Sequence, residues 1–162
     1  MADSSFDVVS KIDQMELDNA FNQAERELGT RFDFKNTGTK LTKTNLQILI
    51  ESETEERAKA ALDVLKDKLV KRNVSLKHLD AKEPELSGKI YKINCTFSEG
   101  ISTENGKKIA KLLKEEGAKS VKAQIQGDAV RVSSKSKDDL QAAIALIKSK
   151  TWDFAVQFTN YR

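Results

Sequence analysis

Short runs of alternating and helix-periodic apolar residues predict small strands and helices throughout the first part of the chain. Residues 6–10 form a first strand, and apolar side chains then recur at helical spacing from Leu17 to Leu28 until Gly29 ends the helix. Residues 31–35 alternate strictly, which predicts a strand with Phe32 and Phe34 on one face. A strand at 46–51, a helix from about 54 to 73 and a strand from Val74 follow.

The same kinds of element recur in the second part of the chain. Residues 80–88, which contain the one proline, Pro84, predict a linker. Strands are expected at 89–97, 121–126, 129–133 and 154–161, with a Gly127–Asp128 hairpin between the second and third. Helices are expected at 103–116 and after Ser136.

The two parts are related by a repeat of 82 positions. A long period of this kind indicates two copies of a small domain rather than a solenoid. The matching residues of the first copy, each paired without a gap to the residue 82 positions later, are Ile48, Ile50, Ser52, Thr54, Glu56, Ala60, Ala61, Leu62, Leu65 and Lys66.

This order of elements predicts an α+β fold made of two ferredoxin-like domains, residues 1–86 and residues 87–162. Each domain would have the order β-α-β-β-α-β, with two helices on one face of a four-stranded antiparallel sheet and the other face open. RNA-recognition domains share this topology, but the third strands here, 46–50 and 129–133, carry no aromatic residue. A standard base-stacking platform is therefore not expected.

Charge and cysteine content change this picture only modestly. Residues 1–86 hold 14 Lys and Arg against 17 Asp and Glu, whereas residues 87–162 hold 14 against 8, so the second domain is basic. The second half is therefore the better candidate to bind a partner that carries phosphate. The alternative is that these charges only keep the surface solvated. The single cysteine, Cys95, allows no internal disulfide, so a reducing cytoplasm is the expected location.

Strand parity in the second domain places a polar, basic patch on the open face. Lys122, Gln124, Gln126 and Arg131 point outward while their apolar neighbours point to the core. Amide groups can read base edges, and Lys and Arg can hold phosphate. The alternative is a solvated sheet face without a ligand.

The sequence gives little support for a catalytic site or a metal site. The one histidine, His78, has no cysteine near it, and Cys95 has core-facing parity, so neither metal nor cofactor is expected. Lys135 and Lys137 flank a helix start that could hold an anion, but acidic residues already occupy the first turn.

Several segments resemble the YajQ family. They are residues 6–10 (Phe-Asp-Val-Val-Ser), 31–35 (Arg-Phe-Asp-Phe-Lys), 68–72 (Lys-Leu-Val-Lys-Arg), 124–128 (Gln-Ile-Gln-Gly-Asp), 131–141 with its Asp-Asp-Leu-Gln end, and 158–162 (Phe-Thr-Asn-Tyr-Arg). The departures are Ser134 in place of a glycine, Lys137 in place of an arginine and Tyr161 in place of a phenylalanine. Lys137 cannot hold a phosphate bidentately as an arginine would.

The resemblance implies a bacterial, non-enzymatic nucleotide-binding protein whose two domains exchange their first strands. Its ligand would be cyclic di-GMP or a GTP-like nucleotide, and a protein or nucleic-acid partner would receive the signal. We expect Arg131 and Lys122 to hold phosphate, Gln124 and Gln126 to contact bases, and Arg31 and Lys35 to contribute from the other domain. The alternatives are an RNA-binding module that uses the same face, and an adaptor that binds protein through a sheet edge. The sequence also predicts that Arg131→Ala leaves thermal stability nearly unchanged.

Overall fold

Four α-helices and nine short strands form along residues 3–162, the part of the chain that the computed structural model of the protein describes. In chain order they are β1 Ser4–Val9, α1 Gln14–Thr30, β2 Lys40–Thr44, β3 Gln47–Ser52, α2 Glu55–Lys71, β4 Leu79–Ala81, β5 Glu85–Ser87, β6 Ile90–Phe97, α3 Thr103–Glu116, β7 Lys122–Gln126, β8 Ala129–Ser134, α4 Lys137–Ser149 and β9 Gln157–Thr159. Single 3-10 turns occur at Phe32–Phe34 and Leu76–His78. The predicted α+β class is confirmed.

The strands form two antiparallel sheets that belong to two compact units. Unit I consists of residues 3–11 together with Glu99–Arg162, and its sheet has the order β7-β8-β1-β9. Unit II consists of Ile12–Ser98, and its sheet has the order β2-β3-β6-β4, with β5 also pairing with β6. Both sheets are antiparallel throughout.

The units differ from the sequence halves 1–86 and 87–162 because the first strand of each half lies in the other half's sheet. In unit I, Phe6 of β1 lies opposite Val132 of β8. In unit II, Cys95 of β6 lies opposite Ile48 of β3. Each sheet therefore combines residues that are far apart in the sequence, and the site described below depends on this pairing.

The 82-residue correspondence is visible in the element boundaries. Strands β2 and β3 lie 82 positions before β7 and β8, and α2 begins 82 positions before α4. The two helices also begin alike: the Thr54 hydroxyl accepts from the Arg57 amide, and the Ser136 hydroxyl accepts from the Asp139 amide. Each cap satisfies an amide that the first helical turn leaves unpaired.

Each unit has its own apolar core, in which the helices cover one face of the sheet. In unit I the buried side chains of Phe6, Val8, Val130 and Val132 pack with α3 and α4 residues such as Ile109. In unit II the core joins both helices to the sheet through Leu17, Leu65, Leu69, Ile48, Ile50 and Ile93. Burial of these faces is the main stabilising term, at about 25 cal/mol per Å² of apolar area.

The strand predicted at residues 31–35 is wrong. This segment is a 3-10 turn in which Phe34 is buried while Phe32 is 87% exposed, so the two rings do not share a face. The guanidinium groups of Arg31 and Arg57 lie 5.0 and 5.6 Å from the centre of the Phe34 ring. Alternation over five residues did not distinguish a strand from a turn that buries a single ring.

Other predictions near the middle of the chain are also corrected. No strand begins at Val74, because Val74 is buried directly after α2 and β4 begins only at Leu79. The predicted linker, residues 80–88, instead supplies part of β4 and all of β5, which pair with β6. Strand β2 was not predicted, since Lys40–Thr44 carries one apolar residue, Leu41, which is buried. Within residues 3–162, no helix is long and apolar enough to cross a membrane.

Candidate functional site

The candidate site is the open face of unit I, the side of its sheet that faces away from α3 and α4. Strand β7 alternates across the sheet: Lys122, Gln124 and Gln126 are exposed, whereas Ala123 and Ile125 pack against the core. Gln126 Nε2 lies 3.5 Å from Gln124 Oε1, so the two amide groups are neighbours. Because residues two apart on a strand share a face, β7 presents one lysine and two amides in a line.

A row of polar side chains crosses this face from β7 to β9. Gln124 lies opposite Arg131, Arg131 lies opposite Asp7, and Asp7 lies opposite Thr159. The row places residues from all four strands next to one another. Directly opposed side chains on a sheet are close enough to interact.

Arg131 and Asp7 form an ion pair at the centre of the row. Arg131 Nε donates to Asp7 Oδ1 over 3.0 Å, and Arg131 Nη2 donates to Asp7 Oδ2 over 3.4 Å. The Asp7 side chain is 9% exposed, and that of Arg131 is 34% exposed. Asn160 Nδ2 also donates to Asp7 Oδ2, over 2.8 Å. Two of the five guanidinium N–H groups thus contact Asp7, and the Nη1 end makes no hydrogen bond to residues 3–162.

These contacts change the acidity of both groups. The hydrogen bonds from Arg131 hold the pKa of Asp7 below its usual value against the opposing effect of burial, and Asn160 and the charge of Arg162 add to the lowering. Asp7 in turn raises the pKa of Arg131. Both side chains are therefore fully ionised at neutral pH.

A second row adds charge beside the first. Lys122 lies opposite Ser133, and Ser133 lies opposite Ser5. The backbones of Ser5 and Arg162 exchange two hydrogen bonds, of 3.0 and 2.9 Å. Between β9 and this pairing, Asn160 adopts a left-handed conformation, with φ of 54°, which asparagine tolerates. Lys122 has no ion-pair partner in the described part of the chain.

Sequence reasoning identified Arg131 but missed Asp7, Asn160 and Arg162. One signal was present: Asp7 interrupts an apolar run between Phe6 and Val8, at the parity of an outward-facing residue. Its partner could not be inferred from a single domain, because Asp7 and Arg131 are 124 positions apart and meet only through the placement of β1.

The corresponding face of unit II is almost uncharged at its centre. The positions that match Arg131 and Gln124 hold Leu49 and Thr42, and Leu49 lies opposite Asn94 rather than an aspartate. A depression of about 390 Å³ on this face is lined by such neutral groups. Only Lys40, the counterpart of Lys122, retains its charge, and it lies opposite Glu51. The open face of unit I therefore differs from that of unit II by the guanidinium–carboxylate pair at its centre.

Arg31 and Lys35 belong to unit II, so they are not part of the open face of unit I. Arg31 is held in ion pairs with Glu27, at 3.2 Å, and Asp33, at 2.7 Å. These pairs raise the pKa of Arg31, chiefly through Asp33. Lys35 is exposed and closes the 3-10 turn through a backbone hydrogen bond to Phe32. Their assignment to a nucleotide site stays a prediction.

The start of α4, flanked by the exposed Lys135 and Lys137, is largely satisfied by its own side chains. Ser136 caps the Asp139 amide, and the Ser134 hydroxyl accepts from the Ser136 amide over 3.1 Å. The Ser120 hydroxyl donates to Asp139 over 2.7 Å. An anion at this position would compete with these groups, and the anion site at Lys135 and Lys137 stays a prediction.

The two candidate reactive side chains are packed in unit II. Burial raises the pKa of the Cys95 thiol to about 11, so it is protonated at neutral pH. His78 is buried, and its Nδ1 lies 2.9 Å from the Ser98 carbonyl oxygen. Among residues 3–162, no group of three metal-ligating side chains is close enough to hold an ion.

The class of protein that this arrangement defines is an α+β protein with an open, basic sheet face. Comparison with known proteins makes the class specific: the family described as "Nucleotide-binding protein YajQ-like" matches residues 4–162. The chain belongs to this family. Similar proteins, each named "Nucleotide-binding protein", occur in Streptomyces griseus (60% identical), Mycobacterium avium (59%) and a Nocardioides species (61%), with the whole of each chain covered.

Proposed function

We propose that this chain binds a nucleotide on the open face of unit I, without chemical conversion of the ligand, and acts through a protein or nucleic-acid partner. The observation that carries the proposal is the Arg131–Asp7 pair, which fixes a guanidinium on an exposed sheet face with its Nη1 end directed away from Asp7. The family description and the names of the relatives, which refer to nucleotide binding, support it.

The ligand that we propose is a cyclic dinucleotide of the cyclic di-GMP type. Such a ligand carries two phosphodiesters with one negative charge each, and Arg131 and Lys122 offer two separated cations. Its two guanines present donors and acceptors that suit the amide groups of Gln124 and Gln126. GTP carries three adjacent phosphates, for which a backbone cradle is the usual site. A compact ligand of low charge therefore fits better.

We also infer that the two units are ferredoxin-like copies produced by duplication. Each sheet has the order second, third, first and fourth strand when its strands are numbered within the unit, starting with β1 in unit I and β6 in unit II. The 82-residue spacing of β2 and β3 from β7 and β8 supports a common origin. The charged pair, present in unit I and absent at the matching positions of unit II, would then distinguish the two copies.

Calorimetric titration of the full chain with cyclic di-GMP, and separately with GTP, tests the proposal. We expect saturable heat at micromolar or tighter affinity with the cyclic dinucleotide and weaker binding of GTP. Lys122→Ala should weaken cyclic di-GMP binding by about three- to tenfold, since one exposed charge contact is removed. Lys40→Ala is the matched control, because Lys40 occupies the equivalent position in unit II.

The result for the two lysine variants decides the site. Equal affinity in the parent and Lys122→Ala would remove the open face of unit I from the proposal, even if the nucleotide binds. Absence of heat with either nucleotide would reject the nucleotide proposal for this chain. In that case the net charge of +3 in unit I, from 13 Lys and Arg against 10 Asp and Glu in residues 3–11 and 99–162, favours RNA on the same face, for which affinity should fall steeply with salt.

A further inference from the structure

A lysine-rimmed groove lies between α3 and β7, on unit I. Its volume is about 450 Å³, and its floor is formed by Ala110, Leu113 and Val121. The rim carries Lys114, Lys119 and Lys122. Because neighbouring residues of a strand point to opposite faces, a hollow that contacts both Lys122 and Ala123 must run along the edge of β7.

The edge of β7 is available for pairing. The order β7-β8-β1-β9 places β7 at the end of its sheet, with β8 as its partner among the strands of the described chain. On an edge strand, alternate backbone N–H and C=O groups point away from the sheet and can pair with another extended segment. The groove therefore offers backbone pairing beside an apolar floor.

The groove carries an excess of positive charge. Lys114, Lys119 and Lys122 form no ion pair with residues 3–162. Glu115 and Glu116, which follow Lys114 in the sequence, lie 3.9 Å from Lys111 and 3.4 Å from Lys150. A lysine within an edge strand also discourages unwanted pairing. That role does not account for Lys114 and Lys119, which lie outside β7 at the rim of an apolar hollow.

The turn between α3 and β7 preserves the shape of the groove. A side-chain carbon added at Gly117 would lie 2.5 Å from the Leu113 carbonyl oxygen, which is too close for any other residue without a shift of the backbone. Gly117 thus lets the chain turn tightly against the end of α3, with Lys119 at the rim.

We propose that this groove binds an extended, acidic segment of a protein partner, which adds to the edge of β7. Alternate side chains of the segment would be apolar and contact the floor, and the others would be carboxylates beside the three lysines. Nucleic acid fits less well, because the lining has no aromatic side chain on which bases could stack. This proposal shares Lys122 with the nucleotide proposal but rests on a different feature, the edge of β7, and it gives the partner a chemical class.

Fluorescence anisotropy with a labelled peptide of alternating Glu and Val tests the proposal on the full chain. We expect saturable binding that weakens at high salt and is absent for the matched Lys–Val peptide. The double variant Lys114→Glu/Lys119→Glu should lower affinity at least about tenfold, while cyclic di-GMP titration is unchanged. The control Lys77→Glu/Lys89→Glu changes net charge equally at exposed lysines of unit II.

Backbone pairing is tested with two N-methylated forms of the acidic peptide, one methylated at the glutamates and one at the valines. Strand addition predicts that one form loses binding and the other keeps it, because only alternate amides face β7. Equal affinity of both forms, or equal loss in the two double variants, would overturn the proposal. Self-association of the parent that disappears in Lys114→Glu/Lys119→Glu would also overturn it, since the groove would then be occupied by a second copy.

Discussion

Removal of Arg131 should destabilise unit I, because Asp7 would keep a negative charge in a site that is almost closed to water. The Asp7 side chain is 9% exposed, and in Arg131→Ala it retains one of its side-chain hydrogen bonds, from Asn160. A hydrogen bond to a charged group contributes about 1.5–3 kcal/mol, and breaking a fully buried pair costs about 3–5 kcal/mol. Since the Arg131 side chain is 34% exposed, water screens part of this attraction. We therefore expect the free energy of unfolding to fall by about 2–3 kcal/mol in Arg131→Ala, whereas the sequence alone predicted unchanged stability.

A double-mutant cycle separates this effect from a general loss of packing. Asp7→Asn should lower the free energy of unfolding by only about 1–2 kcal/mol, because Arg131 can then turn towards water. Arg131→Ala/Asp7→Asn should cost less than the sum of the single variants by about 1–2 kcal/mol, because the stranded carboxylate is absent. Lys122→Ala, an exposed change on the same face, should stay within about 0.5 kcal/mol of the parent.

Urea unfolding at neutral pH, followed by tryptophan fluorescence, measures these differences in the relevant unit. The one tryptophan, Trp152, packs against the core of unit I, and its indole N–H donates to the Ile147 carbonyl oxygen over 3.0 Å. Its signal therefore reports on the sheet that contains Asp7 and Arg131. Unchanged stability of Arg131→Ala, or strictly additive losses in the double variant, would refute the reasoning.

Two further predictions follow from the same contacts and from the turn at residues 32–34. The lowered pKa of Asp7 contributes stability that is present above its unfolded value of about 3.9 and is lost as pH falls through the folded pKa. The free-energy gap between the parent and Asp7→Asn should therefore shrink below about pH 4 in urea titrations, and a gap independent of pH would contradict this. Phe34→Ala should cost about 3–5 kcal/mol, because the ring is 5% exposed, whereas Phe32→Ala, at 87% exposure, should stay within about 0.5 kcal/mol. Equal losses of stability for Phe34→Ala and Phe32→Ala in circular-dichroism melts would contradict this expectation.

The local elements were predictable where pattern, cap and repeat agreed. The strand before Thr54 and the helix after it were identified, and so were the strand before Ser136 and the helix after it. At each place, alternation, a capping hydroxyl and a helical apolar stripe occur together. Prediction failed where apolar residues are few. Strand β2 has one buried apolar residue, Leu41, and the edge strands β4 and β5 are three residues each. Such strands are specified by their partners rather than by their own sequence.

The candidate site was predictable only in part for a related reason. The parity of β7 and β8 gave the outward residues of each strand, because side-chain direction depends only on local geometry. It did not give the neighbour of Arg131, which depends on the strand that lies beside β8. The contribution of Arg162 was missed for the same reason, since its backbone pairs with Ser5 at the far end of the sequence.

Exchange of the first strands makes the open face of unit I depend on both halves of the sequence. Arg131 comes from residues 87–162, but Asp7, which holds its guanidinium, comes from β1 in the first half. Residues 87–162 alone would lack the central strand between β8 and β9 and would leave β6 without its partners β3, β4 and β5. A charged residue in the second half of the sequence is therefore positioned by a residue from the first half. Arg131 and Leu49, which lie 82 positions apart, can differ in chemistry while both sheets form, because both positions face away from the helices and the cores.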